Sequence, residues 1–305
     1  MEQILDKQPV QPTIKPRSIS IVFLFSLLFP GLGQIYNGQP KKGFIFFGLQ
    51  LLIPFLFGIT RWALFFYGLL LLVVLLLALR IYIIIDGVKH ARRQKAYILK
   101  PYNTWYWYVA FIAVTFVVLS FYDTSAAIGI QSFRIPSHPN EPTVQEGDFI
   151  VADTRAYKNS TPDYGDIIIF THADGQAYTY RIVGLPNDNL TLKDNVVTVN
   201  GRRGQTTYMK DAWFNGIPVI ETEEILPNGH KHQVYLCKER SDTTMANIAH
   251  ITVPLGSYYV LGDNRDNAAD SRYKGFVKRT SIKGRILYSY WGKDAARINI
   301  DFRKI

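Results

Sequence analysis

QSFRIPSHPNEPTVQEGDFIVAD, residues Gln131–Asp153, is the stretch that decides how the rest of the chain is organised. It begins about ten residues after the last long apolar segment, which ends at Phe121. Its middle is punctuated by Pro136, Pro139 and Pro142. Because each X-Pro step pushes the preceding residue to extended geometry, this loop is predicted to be stiff and non-helical. The run Asp148–Val151 predicts a strand after it. A stiff loop beside a membrane exit suits recognition of a segment that is leaving the membrane.

Long apolar segments precede this stretch and are predicted membrane spans: Phe44–Ile59, Trp62–Ile85 and Trp105–Phe121. The loop between the last two carries Lys89, Arg92, Arg93, Lys95 and Lys100. Since basic loops favour the cytoplasmic side, the chain after Phe121 is predicted to lie outside. The sequence therefore indicates a multi-pass protein of the cytoplasmic membrane, in contact with lipid, whose C-terminal part is extracytoplasmic.

The first apolar segment, Ser18–Phe29, is short, and Pro30-Gly31 interrupts it. The string that follows, PGLGQIYNGQPKKG, resembles the opening of small two-helix membrane domains found in many bacterial proteins. It lacks a G-K-[ST] ending, so its glycines indicate close helix packing rather than a phosphate loop. Two interpretations stay open: Ser18–Tyr36 either re-enters the membrane as a hairpin or crosses it. Residues 18–121 thus hold three or four apolar spans, and residues 1–17 are expected to be a disordered cytoplasmic tail.

From Tyr122 onward, short β-branched and aromatic runs alternate with Gly, Asn, Asp and Pro turns. The runs are DFIVAD, GDIIIFTH, AYTYRIVG, VVTVNG, HQVYL, HITVP, SYYVLG and KGRILYSYW. The predicted fold class is a membrane α-helical N-terminal part followed by an all-β domain over residues 122–305. Residues 202–247 are more irregular and polar, and they are expected to form an insertion or a small subdomain.

Composition argues against several classes of function. The formal net charge is +10, but many basic residues flank apolar segments rather than forming an aromatic-interleaved patch, which disfavours nucleic-acid binding. Cys237 is the only cysteine, so neither an intrachain disulfide nor a cysteine-ligated metal site is possible. No H-E-x-x-H motif occurs, and no metal or other cofactor is expected.

The proline-containing stretch resembles a motif of the bacterial signal peptidase I family, Ser/Lys proteases that remove signal peptides. That motif reads roughly F-x-I-P-S-G-S-M-x-P-T-L-x-x-G-D-x-I-x-V. The matching residues are Phe133, Ile135, Pro136, Ser137, Pro142, Thr143, Gly147, Asp148, Ile150 and Val151. In this register the family's nucleophilic serine falls on Pro139, and the methionine after it falls on Asn140. The resemblance implies that Ser137 is an oxyanion-hole donor.

Two further motifs of the same family follow. YTYRIVGLPND, Tyr178–Asp188, resembles Y-x-K-R-V-x-G-L-P-G-D, and the family's general-base lysine falls on Tyr180. GDNRDNAADSRYKGFV, Gly262–Val277, resembles G-D-N-R-D-N-S-x-D-S-R-x-W-G-x-V, and the auxiliary serine that orients the lysine falls on Ala268. The three positions that the resemblance assigns to catalysis are therefore all substituted.

The residues retained around these positions are turn-forming or charged: Gly147, Asp148, Arg181, Gly262, Asp263, Asn264, Arg265, Asp266, Asp270, Ser271 and Arg272. The resemblance implies that they brace the loops around the active site. A solvated charged turn is the plainer interpretation. A calcium loop on Asp263, Asp266 and Asp270 is disfavoured because the D-x-[DN]-x-[DN]-G order is missing and Arg265 lies among them.

The family's chemistry requires a serine hydroxyl beside a neutral lysine, whose pKa must fall from about 10.4 to about 7–8 in a dry pocket. Pro139 offers neither a hydroxyl nor the backbone N–H of an oxyanion hole. Tyr180 is a phenol with a pKa of about 10 and is no base at neutral pH, and its neighbour Arg181 is expected to point to the opposite face of the strand. Ser137 is a weak alternative nucleophile, with His138 as its base, because extended chain separates it from position 139 by about 6.6 Å.

Three hypotheses follow for the function. The leading one is a signal-peptidase-I-like membrane protein of the secretion pathway that lacks the Ser/Lys dyad. Such a protein would bind a signal peptide or preprotein segment, or scaffold an active signal peptidase. The second is a working serine endopeptidase whose site is displaced or completed by a partner. The third makes the membrane region the functional unit, with the β domain as an appendage.

Overall fold

The computed structural model describes residues 14–239 and 244–305. The described chain divides into two compact units, one running up to Ala63 and including Tyr67–Ile128, the other made of Leu64–Phe66 and Gly129–Ile305. The predicted order of apolar helices followed by a β domain is confirmed. Residues 1–13 of the predicted tail lie outside the described residues.

Helices dominate the N-terminal part of the chain. They are α1 (Ile19–Leu28), α2 (Leu32–Tyr36), α3 (Pro40–Thr60), α4 (Phe66–Arg93), α5 (Trp105–Phe121) and α6 (Thr124–Ile128). By length and composition, α3 and α4 are able to cross a membrane. The helix α5 has 17 residues and α1 has 10. Because an α-helix rises about 1.5 Å per residue, α1 spans about 15 Å, half of a bilayer's hydrocarbon core.

The start of α1 lies beside the segment that follows α4. Strand β1 (Ile14–Lys15) pairs antiparallel with β2 (Tyr97–Ile98). The guanidinium of Arg17 lies over the rings of Tyr36 and Tyr97, at 4.4 and 4.1 Å from their centroids. The start of α1, the end of α2 and the segment after α4 therefore lie together around Arg17.

Glycines at the α1–α2 corner allow backbones to approach closely. Gly31 has a φ of +91°, and a Cβ there would lie 2.1 Å from the backbone oxygen of Gly43 in α3. The buried amide of Gln34 in α2 donates to the carbonyl oxygen of Ile83 in α4 at 2.8 Å. The prediction that the glycines of PGLGQIYNGQPKKG serve close packing is confirmed.

Antiparallel strands make up most of the second unit. They are β3 (Ile130–Arg134), β4 (Phe149–Asp153), β5 (Ile167–Thr171), β6 (Ala177–Gly184), β7 (Asn189–Lys193), β8 (Val196–Val199), β9 (Arg202–Arg203), β10 (Gln205–Phe214), β11 (Ile217–Ile225), β12 (Lys231–Cys237), β13 (Ile248–Thr252), β14 (Ser257–Leu261), β15 (Val277–Lys278) and β16 (Ile282–Trp291), and a short helix α7 (Ser271–Lys274) precedes β15. The main sheet has the order β15-β14-β6-β5-β16-β4-β3, and smaller sheets have the orders β13-β7-β8-β9 and β10-β11-β12. Each of the β-branched runs quoted from the sequence overlaps one of these strands.

Residues 202–247 have an irregular sequence pattern, but the part that the structure describes forms regular strands. Strands β10, β11 and β12 there have 10, 9 and 7 residues and pair as one antiparallel sheet, with a shift of register between Tyr208 and Lys210 of β10. Strand β10 is exposed at nearly every position. Its sequence therefore lacks the apolar alternation from which a half-buried strand is recognised.

The proline-containing loop between β3 and β4 is anchored on the main sheet at both of its ends. Ile135 and Val144 are buried in one core cluster with Ile150 of β4 and Ile286 of β16. The backbone N–H of Ile135 donates to the carbonyl oxygen of Asp148 at 2.9 Å. Apolar burial on either side thus fixes where residues 136–143 lie.

Candidate active-site groove

A groove of about 480 Å³ lies between the proline loop and the first half of β6. It is lined by residues 135–140 and 176–180 and by Asn267 and Ala269. This volume is within the range of about 300–1,000 Å³ that is usual for ligand sites. The groove contains both Pro139 and Tyr180, so the two positions that the resemblance assigns to nucleophile and base line one cavity.

Gly262 brings the third position to the same place. A Cβ at Gly262 would lie 2.4 Å from the carbonyl oxygen of Pro139 and 2.4 Å from the Cβ of Ala268. The same Pro139 oxygen accepts a hydrogen bond from the backbone N–H of Asn264 at 3.0 Å. Glycine is therefore required at position 262, because a larger residue would separate the proline loop from Ala268.

Tyr180 is 2% exposed and packs in one core cluster with Ala268. Its ring stacks on Tyr178, with centroids 6.1 Å apart and an interplanar angle of 12°. Burial, followed by the Asp270 carboxylate, raises the pKa of Tyr180 well above its ordinary value. At neutral pH this side chain is a protonated phenol and cannot accept a proton as a base.

Ser137 and His138 line the groove but do not form a pair. Ser137 is exposed, and its side chain makes no hydrogen bond to the residues that the structure describes. The Nδ1 atom of His138 lies 2.9 Å from a carboxylate oxygen of Glu141, and its Nε2 lies 3.6 Å from one of Glu146. Both ring nitrogens therefore face carboxylates, which leaves neither placed to take a proton from Ser137.

Asp263 binds Arg181 behind the groove. The guanidinium donates to both carboxylate oxygens, at 2.9 and 2.7 Å, and both side chains are 1% exposed. Burial alone would raise the pKa of Asp263, but the Arg181 charge outweighs burial and lowers it below its ordinary value. The expectation that Arg181 points away from the face of Tyr180 agrees with this contact.

Asp270 and Ser271 hold the turn that carries Ala268. A carboxylate oxygen of Asp270 accepts from the backbone N–H of Gly262 at 3.0 Å, and the Ser271 hydroxyl accepts from the N–H of Val260 at 3.0 Å. Arg272 donates to Asp270 through Nε at 2.8 Å and Nη2 at 2.7 Å. Since Asp270 is 1% exposed and Arg272 9%, the alternative of a solvated charged turn is wrong here.

Gly147 and Asp148 hold the other end of the proline loop. Gly147 has a φ of +88°, a conformation that favours glycine. The carboxylate of Asp148 accepts from the backbone N–H of Gln145 at 2.9 Å and from the guanidinium of Arg297. The loop that lines the groove is thus tied down on both sides.

Glu224 and His232, which the sequence analysis did not single out, complete this network from β11 and β12. Arg265 donates to Glu224, both about 1% exposed, and His232 Nε2 lies 3.2 Å from the same carboxylate. Burial opposes the ionisation of Glu224, but the Arg265 charge outweighs it and lowers the pKa to about 2. Because a buried arginine needs a counter-charge, the sequence predicts some acidic partner for Arg265 but not which one.

Asp266 joins β12 to the same loop. It accepts from the backbone N–H of Cys237 and from the side-chain amide of Asn195, both at 2.8 Å. Asp263, Asp266 and Asp270 are therefore each engaged with N–H or guanidinium donors. A calcium loop would need their oxygens turned together onto one ion, and among the described residues no group of three acidic, histidine or cysteine side chains is placed to hold a metal.

Comparisons with known proteins cover the whole groove. A family model described as signal peptidase, peptidase S26, matches residues 105–291. The chain is 30% identical over 203 residues to probable signal peptidase I-2 of Synechocystis sp., which covers 63% of this chain and 75% of that protein. It is 26% identical over 182 residues to signal peptidase IB of Staphylococcus aureus, which covers 59% of this chain and 86% of that protein. A crystal structure of a signal peptidase I from Enterococcus faecalis is 28% identical and matches 41% of this chain and 97% of that chain, with a TM-score of 0.25.

Proposed function

The chain belongs to the signal peptidase I family, peptidase S26, and we propose that it is a member that binds a signal peptide or preprotein segment without cleaving it. Proteins of this family bind signal peptides and membranes in general. The observation that carries the proposal is the meeting of Pro139, Tyr180 and Ala268 around Gly262 and one groove.

None of the three residues can perform the step that the family resemblance assigns to its position. Pro139 has no hydroxyl to attack a carbonyl carbon and no N–H to stabilise the oxyanion. Tyr180 has no amine, and its raised pKa keeps its proton in place at neutral pH. Ala268 has no hydroxyl to orient a base. Because acyl transfer needs a nucleophile and a base in contact, this combination supports binding without hydrolysis.

The Tyr178 hydroxyl and the Lys274 amine form another oxygen–nitrogen pair beside the groove, but this pair is unsuited to the reaction. Lys274 occupies the position of the family's tryptophan, and its Nζ lies 4.5 Å from the ring centroid of Tyr178 and 3.1 Å from Asp174. Hydrogen bonds to Tyr178 and then Asp174 raise the pKa of Lys274 above its ordinary value. A catalytic lysine needs the opposite shift. The same contacts make Lys274 a structural cation rather than a replacement base.

The groove keeps the features that peptide binding requires. One wall is the first half of β6, whose pairing with β14 involves residues 181, 182 and 184 and does not extend to residues 177–180. An extended segment can therefore lie along this part of the strand in the manner of an added strand. A second role that the same surface supports is to hold an active signal peptidase as a partner.

We further propose a multi-pass topology, with residues 1–17 cytoplasmic, 18–121 in the membrane and 122–305 extracytoplasmic, and residues 202–247 as an insertion in the outer domain. Family members are membrane-anchored with an extracytoplasmic domain. The pairing of β1 with β2 supports a re-entrant α1–α2 hairpin, because it keeps the start of α1 on the side of the basic loop after α4. With α3, α4 and α5 crossing, the tail and that loop are both cytoplasmic.

The proposal is tested with the full chain purified in detergent and a synthetic signal peptide. Fluorescence anisotropy measures binding, and mass spectrometry of the same mixture detects cleavage. Saturable binding with intact peptide is expected. Cleavage that survives Ser137→Ala refutes the proposal, and cleavage abolished by Ser137→Ala supports a displaced active site instead. Cleavage that requires an added second protein supports a site completed by a partner.

A further inference from the structure

Asn140 links the two walls of the groove. Its side chain is 2% exposed, and Nδ2 donates to the carbonyl oxygen of Thr179 on β6 at 2.5 Å. Because a carbonyl oxygen can only accept, this bond fixes the nitrogen as the end of the amide that faces Thr179. The other end, Oδ1, is buried and has no hydrogen-bond partner among the residues that the structure describes.

This acceptor belongs to a residue that lines the groove, where a bound ligand is able to supply the missing donor. Buried polar atoms are almost always hydrogen-bonded, and an unpaired one is costly. We infer that Oδ1 of Asn140 accepts a hydrogen bond from a main-chain N–H of the peptide that occupies the groove. This inference rests on the proposed peptide-binding function and assigns to Asn140 the role of a binding residue.

The geometry explains why an asparagine suits this place. An added strand would seek the Thr179 carbonyl oxygen on the edge of β6, but the Asn140 amide already occupies it. The side-chain amide has the same donor and acceptor as a peptide group. It therefore takes the place of the first peptide group beside β6, and it belongs to a residue that lines the groove. The methionine of the resembled motif could not do this, since a thioether has no donor and is a weak acceptor.

The expected ligand is a peptide segment in extended form that carries a secondary amide opposite Asn140. A residue without that N–H, such as proline or an ester-linked residue, is disfavoured at one position and tolerated at its neighbours. Side-chain size alone would not produce this pattern, because an ester bond leaves the side chains unchanged.

The test uses the full chain in detergent and a fluorescein-labelled synthetic signal peptide with an apolar stretch followed by Ala-x-Ala. A set of depsipeptides replaces one backbone N–H at a time by an ester oxygen. In wild-type protein, one ester position is expected to weaken binding about tenfold, the effect of losing one buried hydrogen bond. Asn140→Leu, which keeps the side-chain size but loses both polar atoms, is expected to bind the parent peptide more weakly and to lose the sensitivity to that ester.

The outcomes separate this inference from the proposed function. A flat ester scan on wild-type protein that binds the parent peptide overturns the role of Asn140 alone, and so does a scan whose peak persists in Asn140→Leu. No binding of the parent peptide to wild-type protein overturns the proposed function and this inference with it. The scan on the wild-type protein needs no variant to fold, so a misfolded Asn140→Leu does not prevent the test.

Discussion

Replacing Asp263 by asparagine removes the carboxylate that neutralises Arg181 behind the groove. The guanidinium is 1% exposed and donates to both oxygens of Asp263, at 2.9 and 2.7 Å. In the variant this charge stays buried without its counter-ion. Removing one partner of a buried ion pair costs about 3–5 kcal/mol of folding stability.

The lower end of that range is expected, because Arg181 keeps other acceptors. It donates to the carbonyl oxygen of Gly165 at 3.0 Å and to that of Ile305 at 3.1 Å. For a unit of this size, 1 kcal/mol corresponds to about 2–4 °C in Tm. A loss of about 3 kcal/mol therefore lowers the Tm of the β unit by about 6–12 °C.

The measurement is a thermal denaturation series of the full chain in detergent. Proteolysis at each temperature reports how much of the β unit has unfolded. Asp301→Asn is the matched control, because it breaks a carboxylate–arginine pair of similar length, 2.7 Å to Arg303, whose members are 23–24% exposed. Partly exposed pairs contribute about 0–1 kcal/mol, so the control is expected to shift Tm by less than about 4 °C. A double change of Arg181 and Asp263 to leucine removes the charge as well and is expected to recover part of the loss. Equal shifts for Asp263→Asn and Asp301→Asn would contradict this reasoning about the buried network.

Three further predictions concern the groove and its surroundings. Gly262→Ala is expected to cost about 1–3 kcal/mol and to weaken peptide binding, because the new Cβ overlaps Pro139 and Ala268; unchanged melting and affinity would count against the contact. Burial, followed by the Arg181 charge, lowers the pKa of His230 from 6.5 to about 4. The contribution of neutral His230 to folding stability is therefore present above pH 6.5 and lost as pH falls towards 4. His230→Asn is expected to flatten the fall of Tm between pH 6.5 and 4, and a pH profile identical to that of the wild-type protein would contradict this effect of His230. Combining Pro139→Ser, Tyr180→Lys and Ala268→Ser is expected to create detectable peptide cleavage by mass spectrometry, whereas a triple variant that binds peptide but yields no product would argue against the assumed register.

The order of helices and strands could be predicted because its signals are local. Long apolar runs mark α3 and α4, and β-branched runs mark strands such as β6 and β16, whatever the rest of the chain does. The meeting of Pro139, Tyr180 and Ala268 followed from the gap-free motifs rather than from any local pattern. The strands of the main sheet, and the presence of Pro139 and Tyr180 in one site, could thus be predicted from the sequence.

Features that depend on distant contacts could not be predicted in this way. The exposed strand β10 has no apolar alternation, since the sheet that contains it is held through β11 and β12. The partner of Arg265 is Glu224, 41 positions away, and nothing in either segment specifies the pairing. The contact between Asn140 and Thr179 joins a loop to a strand 39 positions later. Such pairs are set by the tertiary fold, which brings together residues whose own sequence neighbourhoods are unremarkable.

The most direct measurement is the rate of peptide-bond hydrolysis by the wild-type full chain at a signal-peptide concentration that saturates binding. Wild-type protein, Ser137→Ala and a peptide-only sample are followed side by side by mass spectrometry. Peptide that is bound yet stays intact, at the same level in all three samples, is the predicted result. Product that accumulates with wild-type protein above the peptide-only rate would show that a nucleophile works in this protein after all.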